Sequence, residues 1–536
     1  MSTKALNTQI HEVLDHFLEI GVSLSAEKDT DRLLELIMVA AKGITNADGG
    51  TLYRITDEGE LKFEILHNDT LDIQLGGTSG KPITLPNIPL RSQDGHPVLN
   101  RVATYAANTN STVNIKDAYQ SDEFDFSGVK ITDEKMGYRS QSFLTVPMRN
   151  HESEIIGVLQ LINARHPNTD EIYHFSEHHQ QIVESLASQA AIALTNRLLI
   201  NHLESLFESL INLINKAIDD KSPYTAGHCS RVPELTVMIA EAVNNCTVGP
   251  LRDFSMTERD RYELKIAGLL HDCGKITTPV HVVDKATKLQ TLFDRIELID
   301  TRFEVLKRDI KISQLEGKIS HTECTAIIDQ LDSDREFIRH INIGGEFMKD
   351  DALARLKAIG ENYQWTNSGG ESTNFLNADE LYNLGIRAGT LTHEERQVIN
   401  HHINITIDML EELPWPKHLK NVPEYAGGHH EKMDGKGYPK GLTREEMSVQ
   451  ARCMGIADIF EALTARDRPY KKGKTLSESL TILGKMKLDH HVDPDLFNIF
   501  IWEKVYEKYA QDYLDSEQID EFDVTKIPGY EPAPHA

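Results

Sequence analysis

The segment HDCGK at residues 271–275 follows an apolar helical run that contains Leu264, Ile266, Leu269 and Leu270. An imidazole and a carboxylate on adjacent residues can ligate one metal ion, and the carboxylate can also bridge two. Three other segments offer ligands of the same kind: His228 in TAGHCSRV, the pair His429-His430, and Asp458 in the helical stretch GIADIFEAL. Imidazoles and carboxylates without thiolates suit iron or manganese better than a structural zinc cage.

The composition predicts a folded cytoplasmic protein. At roughly 100–200 residues per domain, a chain of 536 residues holds about three or four domains. Its net charge of −27 repels duplex DNA and anionic lipid, so we expect neither as a partner. Five scattered cysteines fit a reducing compartment. The N-terminus lacks the apolar core of a signal peptide, and no apolar run approaches the roughly 18–20 residues that span a bilayer.

The first 195 residues predict an α/β (α+β) domain. Apolar residues recur at helical spacing over residues 31–44, and a second helix begins near Phe175. Strand-like segments lie between these helices, at residues 51–55, 61–66, 142–148 and 154–162.

The second helix has no stop signal for some forty residues, and its apolar positions follow the spacing of a coiled coil. The seam consists of Ile192, Leu199, Leu203, Leu206, Leu210, Leu213 and Ala217, with Asn196 at one polar position. Either the helix lies on its own domain, or it joins an input domain to an output domain and pairs with a second copy. We favour the second interpretation, which predicts a dimerising signalling helix at residues 196–222 and a homodimer.

Helical periodicity dominates from Tyr224 onward, and we expect an all-α domain at residues 223–510. The segment from about 290 to 390 reads as a helical insertion into that domain. It contains two helical runs and a loop at residues 366–370. Residues 511–536 form an acidic tail, which we expect to be loose.

Taken together, the motifs resemble the HD-GYP family, a branch of the HD-superfamily phosphohydrolases. The resemblance rests on HDCGK at 271–275, HHE at 429–431 and DGKGYP at 434–439, and it covers about 215–290 and 387–500. The N-terminal third resembles a GAF domain through its helix–strand order and the segment IIGVLQLINA at 155–164. Cyclic GMP-binding GAF domains carry a signature that is absent here around Asn163 and Phe175. The resemblance therefore implies a small-molecule effector without identifying it.

The HD-GYP resemblance implies a helical domain that holds two, sometimes three, metal ions, usually iron or manganese. The matching ligands are His228, His271, Asp272, His402, His429, His430 and Asp458. His402 is preferred over His401 because Thr406 and the apolar pair at 409–410 then follow at helical spacing. Members with a third metal carry a glutamate at the position of Tyr224, so two divalent ions are expected.

The resemblance also implies roles for individual residues. Asp272 would bridge the metals, and Lys275 would contact a phosphate oxygen and stabilise developing charge. The expected substrate-binding residues are Lys275, Arg231, Gly435, Gly437, Tyr438, Pro439 and Arg468. The cationic segment 466–474, which includes Arg468, is either a positive island for the substrate or a solvated face.

The activity that the resemblance implies is hydrolysis of cyclic di-GMP to pGpG or GMP, regulated by the GAF domain. Some members act on 3′,3′-cyclic GMP-AMP, and the motifs do not separate the two substrates. A receptor or adaptor that binds the dinucleotide without turnover is a third hypothesis, which an insertion that plugs the pocket would favour. A different nucleotide phosphohydrolase of the HD superfamily is disfavoured by residues 437–439.

Overall fold

The structure is a computed structural model that describes residues 19–166, 169–221, 227–345, 347–466 and 473–534. The chain divides into two compact units, Met1–Phe207 and Glu208–Ala536. This division falls inside the predicted signalling helix. Of the helices in the described ranges, none combines the length and the apolar character that a bilayer-spanning helix requires.

The first unit is built on one antiparallel sheet with strand order β3-β2-β1-β7-β6-β5, to which β4 and β8 add at β2 and β7. The strands are β1 (Ala47–Ile55), β2 (Glu60–Asn68), β3 (Ile73–Gly76), β4 (Ile88–Pro89), β5 (Val113–Ile115), β6 (Phe143–Arg149), β7 (Ile155–Arg165) and β8 (Ile172–Tyr173). The helices are α1 (Thr30–Thr45), α2 (Val102–Thr109) and α3 (Ser127–Met136).

Alternation along the central strands gives this sheet two apolar faces. Leu159 and Leu161 of β7 belong to a core with Leu33 and Ile37 of α1, whereas Val158 belongs to a second core with α2. The side chain of Asp29 caps α1 by accepting a hydrogen bond from the Arg32 N–H at 2.8 Å. The predicted α/β domain is confirmed.

The long helix α4 (Glu177–Lys221) contains 45 residues. Its first turns bury Val183, Leu186 and Ala190 in the core of the first unit. Further along, the five leucines of the seam are each 51 to 63% exposed: Leu199, Leu203, Leu206, Leu210 and Leu213. The predicted coiled-coil seam is therefore uncovered within a single chain. Ser222 and Pro223, which the sequence indicates as the end of this helix, lie outside the described residues.

The described part of the second unit is helical apart from one small hairpin, so the predicted helical character is confirmed and the hairpin is an addition to it. Its helices are α5 (His228–Asn245), α6 (Glu258–Leu270), α7 (Val280–Val283), α8 (Ile296–Leu315), α9 (His321–Asn342), α10 (Asp350–Asn362), α11 (Ala378–Leu384), α12 (His393–Asn400), α13 (His402–Glu411), α14 (Val422–Gly427), α15 (Val449–Thr464), α16 (Leu476–Leu488), α17 (Pro494–Trp502) and α18 (Val505–Tyr513). A 3₁₀ helix spans Cys273–Thr277.

Helix α5 is central to this unit because it packs against both α6 and α15. The approach of α6 is close: a Cβ at Gly268 would lie 2.9 Å from the Cα of Pro233. A capping box between Thr257 and Asp260 fixes the start of α6. These contacts bring together three segments that carry predicted metal ligands: the start of α5, the end of α6 and the middle of α15.

Residues 289–384 have a hydrophobic core of their own, which includes Leu289, Phe303, Leu331 and Phe375. Helices α8 to α11 supply most of it. The predicted loop at 366–370 is the turn of a hairpin between β9 (Gln364–Thr366) and β10 (Ser372–Asn374), which the sequence analysis did not foresee.

The C-terminal tail is packed, and the expectation of a loose segment is wrong for its described part. Ile527 is buried, and the Trp502 indole N–H donates to the Glu531 carbonyl at 2.7 Å. The Lys487 ammonium pairs with the Glu531 carboxylate at 2.8 Å. Acidic composition alone does not reveal these contacts with α16 and α17.

Candidate metal centre

Helix ends position the histidines of the candidate site. His271 follows the last residue of α6, His402 is the first residue of α13, and His429 follows α14 by two residues. Each donates its Nδ1–H to the carbonyl three residues earlier: His271 to Gly268 at 2.7 Å, His402 to Ile399 at 2.6 Å and His429 to Ala426 at 2.7 Å. Because a carbonyl only accepts, these bonds fix the tautomer and leave a lone pair on each Nε2, as a metal ligand requires.

The buried carboxylate of Asp272 lies between two groups of ligands. Its Oδ2 is 3.2 Å from the Nε2 atoms of both His228 and His271, and its Oδ1 is 3.2 Å from the Nε2 of His402. Asp458 joins the first group, with its Oδ1 3.2 Å from the His228 Nε2. The potential ligand atoms of His228, His271 and Asp272 all lie within 4.8 Å of one another.

The second group consists of His402, His429 and His430, whose ligand atoms also lie within 4.8 Å of one another. The Nε2 atoms of His402 and His430 are 3.3 Å apart. His402 is buried in the site, whereas the neighbouring His401 is exposed. The structure thus brings all seven residues that were expected to ligate metal to one place.

A close contact holds the two groups together. The Gly274 N–H donates to the Thr406 hydroxyl at 3.0 Å, which ties the segment after Asp272 to α13. A Cβ at Gly274 would lie 2.0 Å from the His402 carbonyl oxygen, so this contact needs glycine. The Thr406 hydroxyl is thus the acceptor that holds this segment.

The residues present fit divalent cations. Among the described residues, four buried atoms of the site have no hydrogen-bond partner: the Nε2 atoms of His228, His271 and His429 and the Oδ1 of Asp272. The carboxylates near them are close but lack hydrogen-bond geometry. A buried polar atom without a partner costs about 1–3 kcal/mol, so several in one place indicate a site built to coordinate cations.

Electrostatics favour neutral imidazoles at His429 and His430 and an ionised carboxylate at Asp272. Burial lowers the pKa of His429 well below its ordinary value and that of His430 to about 4. Burial opposes ionisation of Asp272, but the nearby Lys275 ammonium and His271 outweigh it and hold the pKa of that carboxyl well below its usual range. The Lys275 Nζ lies 2.5 Å from the Asp272 Oδ2.

His228 is surrounded by more carboxylate than it can neutralise alone. Burial lowers its pKa, but Glu461, Asp272 and Asp458 together raise it well above the ordinary value. Lys275 and Arg231 pair with two of these three carboxylates, so a cation bound in place of the His228 proton would balance the charge of the third.

Glu461 is a further residue of the candidate site that no sequence motif singled out. Its carboxylate is fully buried and contacts the Nδ1 of His228. The Arg231 Nε donates to it at 2.7 Å, so Arg231 supports this carboxylate behind His228. The expected contact of Arg231 with substrate stays a prediction. Asp458 and Glu461 are three residues apart on one face of α15, and that spacing was the signal available in the sequence.

Glu461→Gln is expected to weaken metal binding about 10- to 100-fold, the usual cost of removing a supporting hydrogen-bond partner of a ligand. The neutral amide no longer holds the His228 ring with a charge-assisted bond. Titration of the metal-free protein with Mn²⁺ measures the effect, and circular dichroism checks the helices. The exposed Glu503 provides a control, because Glu503→Gln should bind Mn²⁺ like the parent. Equal affinities in both variants would contradict this role.

The segment 435–439 forms a loop against the second group. The buried carboxylate of Glu431 anchors it by accepting the backbone N–H groups of Lys440, Gly441 and Leu442 at 2.8, 3.1 and 2.9 Å. A Cβ at Gly437 would lie 2.4 Å from the Glu431 Cα, so the loop packs against the backbone of Glu431 at a distance that leaves no room for a side chain at residue 437. Sequence spacing gave no signal for this role of Glu431.

Tyr438 places an aromatic ring beside the metal ligands. Its ring stacks on that of His430, with centroids 4.8 Å apart and planes inclined by 27°. Gly435 turns the chain with a φ of 75°, and Pro439 follows Tyr438 in the loop. Arg468 and Tyr224 lie outside the described residues, as does most of the cationic segment. Arg466 of that segment pairs with Asp515 at 2.5 Å.

Comparison with known families agrees with the two units. Residues 29–194 match the GAF domain family, and residues 225–350 and 378–496 match two HD domain families.

Three curated relatives are named as cyclic dinucleotide phosphodiesterases. The 3′3′-cGAMP-specific phosphodiesterase 3 of Vibrio cholerae is 24% identical over 55% of this chain and 38% of its own length. The cyclic di-GMP phosphodiesterase PA4108 of Pseudomonas aeruginosa is 34% identical over 22% of this chain and 27% of its own length. The cyclic di-GMP phosphodiesterase of Thermotoga maritima is 37% identical over 18% of this chain and 25% of its own length.

In each case the chain spans well under half the length of the relative. The matches therefore identify domains, and they do not by themselves transfer the activity of a whole protein. The chain joins an N-terminal GAF domain to a helical HD domain, a combination consistent with the HD-GYP family that its motifs resemble.

Proposed function

We propose that this protein is a metal-dependent phosphodiesterase that hydrolyses a cyclic dinucleotide, with cyclic di-GMP as the first candidate substrate. The observation that carries the proposal is the Asp272 carboxylate, which presents one oxygen to each of two groups of imidazoles. The names of the relatives support the substrate class.

The proposed cofactor is a pair of divalent cations, iron or manganese. His228, His271 and Asp458 would hold one cation, His402, His429 and His430 the other, and Asp272 would bind both. Such a pair supplies the charge that activates water and that stabilises a phosphodiester under attack.

Lys275 gives the site a fixed positive charge in a chain with a net charge of −27. Burial lowers the pKa of its ammonium, but the charges of Asp272 and Asp458 outweigh burial and leave the pKa above its ordinary value. The group therefore stays charged. Its side chain is 24% exposed, which leaves it accessible to a substrate phosphate. We propose that it orients Asp272 and donates to a phosphate oxygen as negative charge develops. Tyr438 shields the ring of His430 from water.

Anaerobic turnover of cyclic di-GMP and of 3′,3′-cyclic GMP-AMP tests the proposal, with metal quantitation and product analysis on the same sample. We expect about two equivalents of metal per chain and conversion of cyclic di-GMP to pGpG or GMP. Preferential turnover of the mixed dinucleotide would establish the second candidate substrate. A metal-loaded protein that binds both dinucleotides and hydrolyses neither would be a receptor, and the proposed activity would be wrong.

We further propose that the GAF domain regulates the site through α4, in response to a small-molecule effector. The last turn of α4 contacts two segments of the site. The Lys221 ammonium donates to the carbonyls of Lys275, at 3.3 Å, and Ile276. The Asp219 carboxylate accepts the Gly227 N–H at 3.3 Å, one residue before His228. A shift or rotation of α4 would therefore act on both segments.

The same helix is proposed to pair with a second copy through its exposed leucine seam. The double change Leu203→Asp with Leu210→Asp should give monomers, because it introduces charges into the seam that pairing would bury. Analytical ultracentrifugation measures the change. Leu315, which is 85% exposed and lies on α8, offers a matched control in Leu315→Asp. A parent protein that sediments as a monomer, or a double variant that stays dimeric, would refute the seam.

A further inference from the structure

An open groove lies between α11 and α12, on the segment that leads to His402. Its volume is about 410 Å³, within the range of about 300–1,000 Å³ that is typical of small-molecule sites. Leu381, Ile386 and Leu391 give it apolar walls, and Tyr382 and Arg396 add one aromatic ring and one positive charge. The roles proposed above for the metal centre leave this groove without a function.

Arg396 is exposed, and its guanidinium forms no hydrogen bond or ion pair with the residues that the structure describes. Other arginines of this unit form ion pairs. Arg302, for example, binds the Glu380 carboxylate through both terminal nitrogens. A guanidinium offers five donors and no acceptor. Arg396 therefore presents a fork of unused donors at the edge of the groove.

Arg396 also lies on the helix that leads into the metal centre. It is on α12, six residues before His402, the first residue of α13, and the two helices pack against each other. The helix that forms one wall of the groove therefore continues into the second ligand group.

Tyr382 is held at the wall of the groove. Its hydroxyl donates to both carboxylate oxygens of Glu394, at 2.9 and 3.2 Å, which restricts the ring. The side chain is nevertheless 49% exposed. An aromatic face that is fixed and accessible is a platform on which a nucleobase can stack.

Resting on the proposed function, we infer that this groove binds one guanine base of the cyclic dinucleotide, with Tyr382 against the base and Arg396 at its Hoogsteen edge. That edge of guanine offers two acceptors, O6 and N7, which match two donors of a guanidinium. Adenine would place its N6 amino donor against those donors. The groove therefore selects a dinucleotide with at least one guanine, and the bound base positions the phosphodiester next to the metal centre.

The test compares Arg396→Ala and Tyr382→Ala with the parent on cyclic di-GMP and on bis(p-nitrophenyl) phosphate, a diester without a base. A bidentate contact to guanine is worth about 1–3 kcal/mol, so Arg396→Ala should raise KM for cyclic di-GMP about ten- to a hundredfold. Its metal content and its turnover of the base-free diester should be unchanged. Arg308, another exposed arginine without a described partner, is the matched control, and Arg308→Ala should behave like the parent. The parent should also bind cyclic di-AMP more weakly than cyclic di-GMP.

Calorimetric titration with cyclic di-GMP separates failure of this inference from failure of the proposed function. If the parent binds the dinucleotide without hydrolysing it, a dissociation constant raised about tenfold in Arg396→Ala still supports binding of the guanine base in the groove. An unchanged constant and an unchanged KM would overturn it. Equal losses on cyclic di-GMP and on the base-free diester would also overturn it, because they would mean that Arg396 supports the metal centre instead of the base.

Discussion

Asp272→Ala is expected to lose both cations and to reduce turnover at least about a thousandfold. The Asp272 carboxylate presents one oxygen to each set of imidazoles, so its removal leaves each set without the proposed shared ligand. Several kcal/mol of charge stabilisation would be lost with the cations, and each 1.36 kcal/mol corresponds to a factor of ten in rate. Metal quantitation and turnover on one preparation measure both effects. His271→Ala should show the same pattern.

The control for this change is Asp253→Ala, because the side chain of Asp253 is 91% exposed. That variant should retain metal and activity. Full turnover by Asp272→Ala, with or without bound metal, would eliminate the role proposed for the bridging carboxylate.

Gly274→Ala is expected to separate the two ligand groups without removing any ligand. The new Cβ would lie 2.0 Å from the His402 carbonyl oxygen and 2.7 Å from the Thr406 nitrogen, both backbone atoms that a side-chain rotation cannot move away. The segment that carries Asp272 must then shift away from α13. Overpacking of this kind costs about 1–3 kcal/mol, so Tm should fall and the second group should lose its cation. Calorimetry and metal titration report these changes.

Gly128→Ala serves as the reference for that experiment, since a Cβ at Gly128 meets nothing within 4 Å. Its Tm and its metal content should equal those of the parent. A Gly274→Ala protein with an unchanged Tm and two cations would show that the approach of α13 does not determine the geometry of the site.

The candidate ligands of the site follow from the resemblance to the HD-GYP family, whose motifs match this chain around His271 and His429. The residue types agree with metal coordination, because imidazoles and carboxylates are ligands for iron and manganese. The preference for His402 over His401 followed from the resemblance, which aligns Thr406 and the apolar pair at 409–410 with the family's helix. The structure buries His402 and exposes His401. Alternation of apolar residues likewise predicted the sheet of the first unit.

The supporting residues were harder to predict from sequence because their roles depend on backbone geometry. Glu431 acts by accepting hydrogen bonds from three backbone N–H groups, and a sequence pattern does not give the direction of those groups. The hairpin at residues 364–374 has strands of three residues each, too short for a period to show. The tail is held by contacts distant in sequence, such as that between Lys487 and Glu531.

Anomalous diffraction from crystals of the protein loaded with Mn²⁺ under anaerobic conditions tests the central claim most directly. Two separate peaks are predicted, one among His228, His271 and Asp458 and the other among His402, His429 and His430, with the Asp272 carboxylate between them. A single peak, or peaks on any other side chains, would contradict the assignment of a two-metal centre to this HD domain.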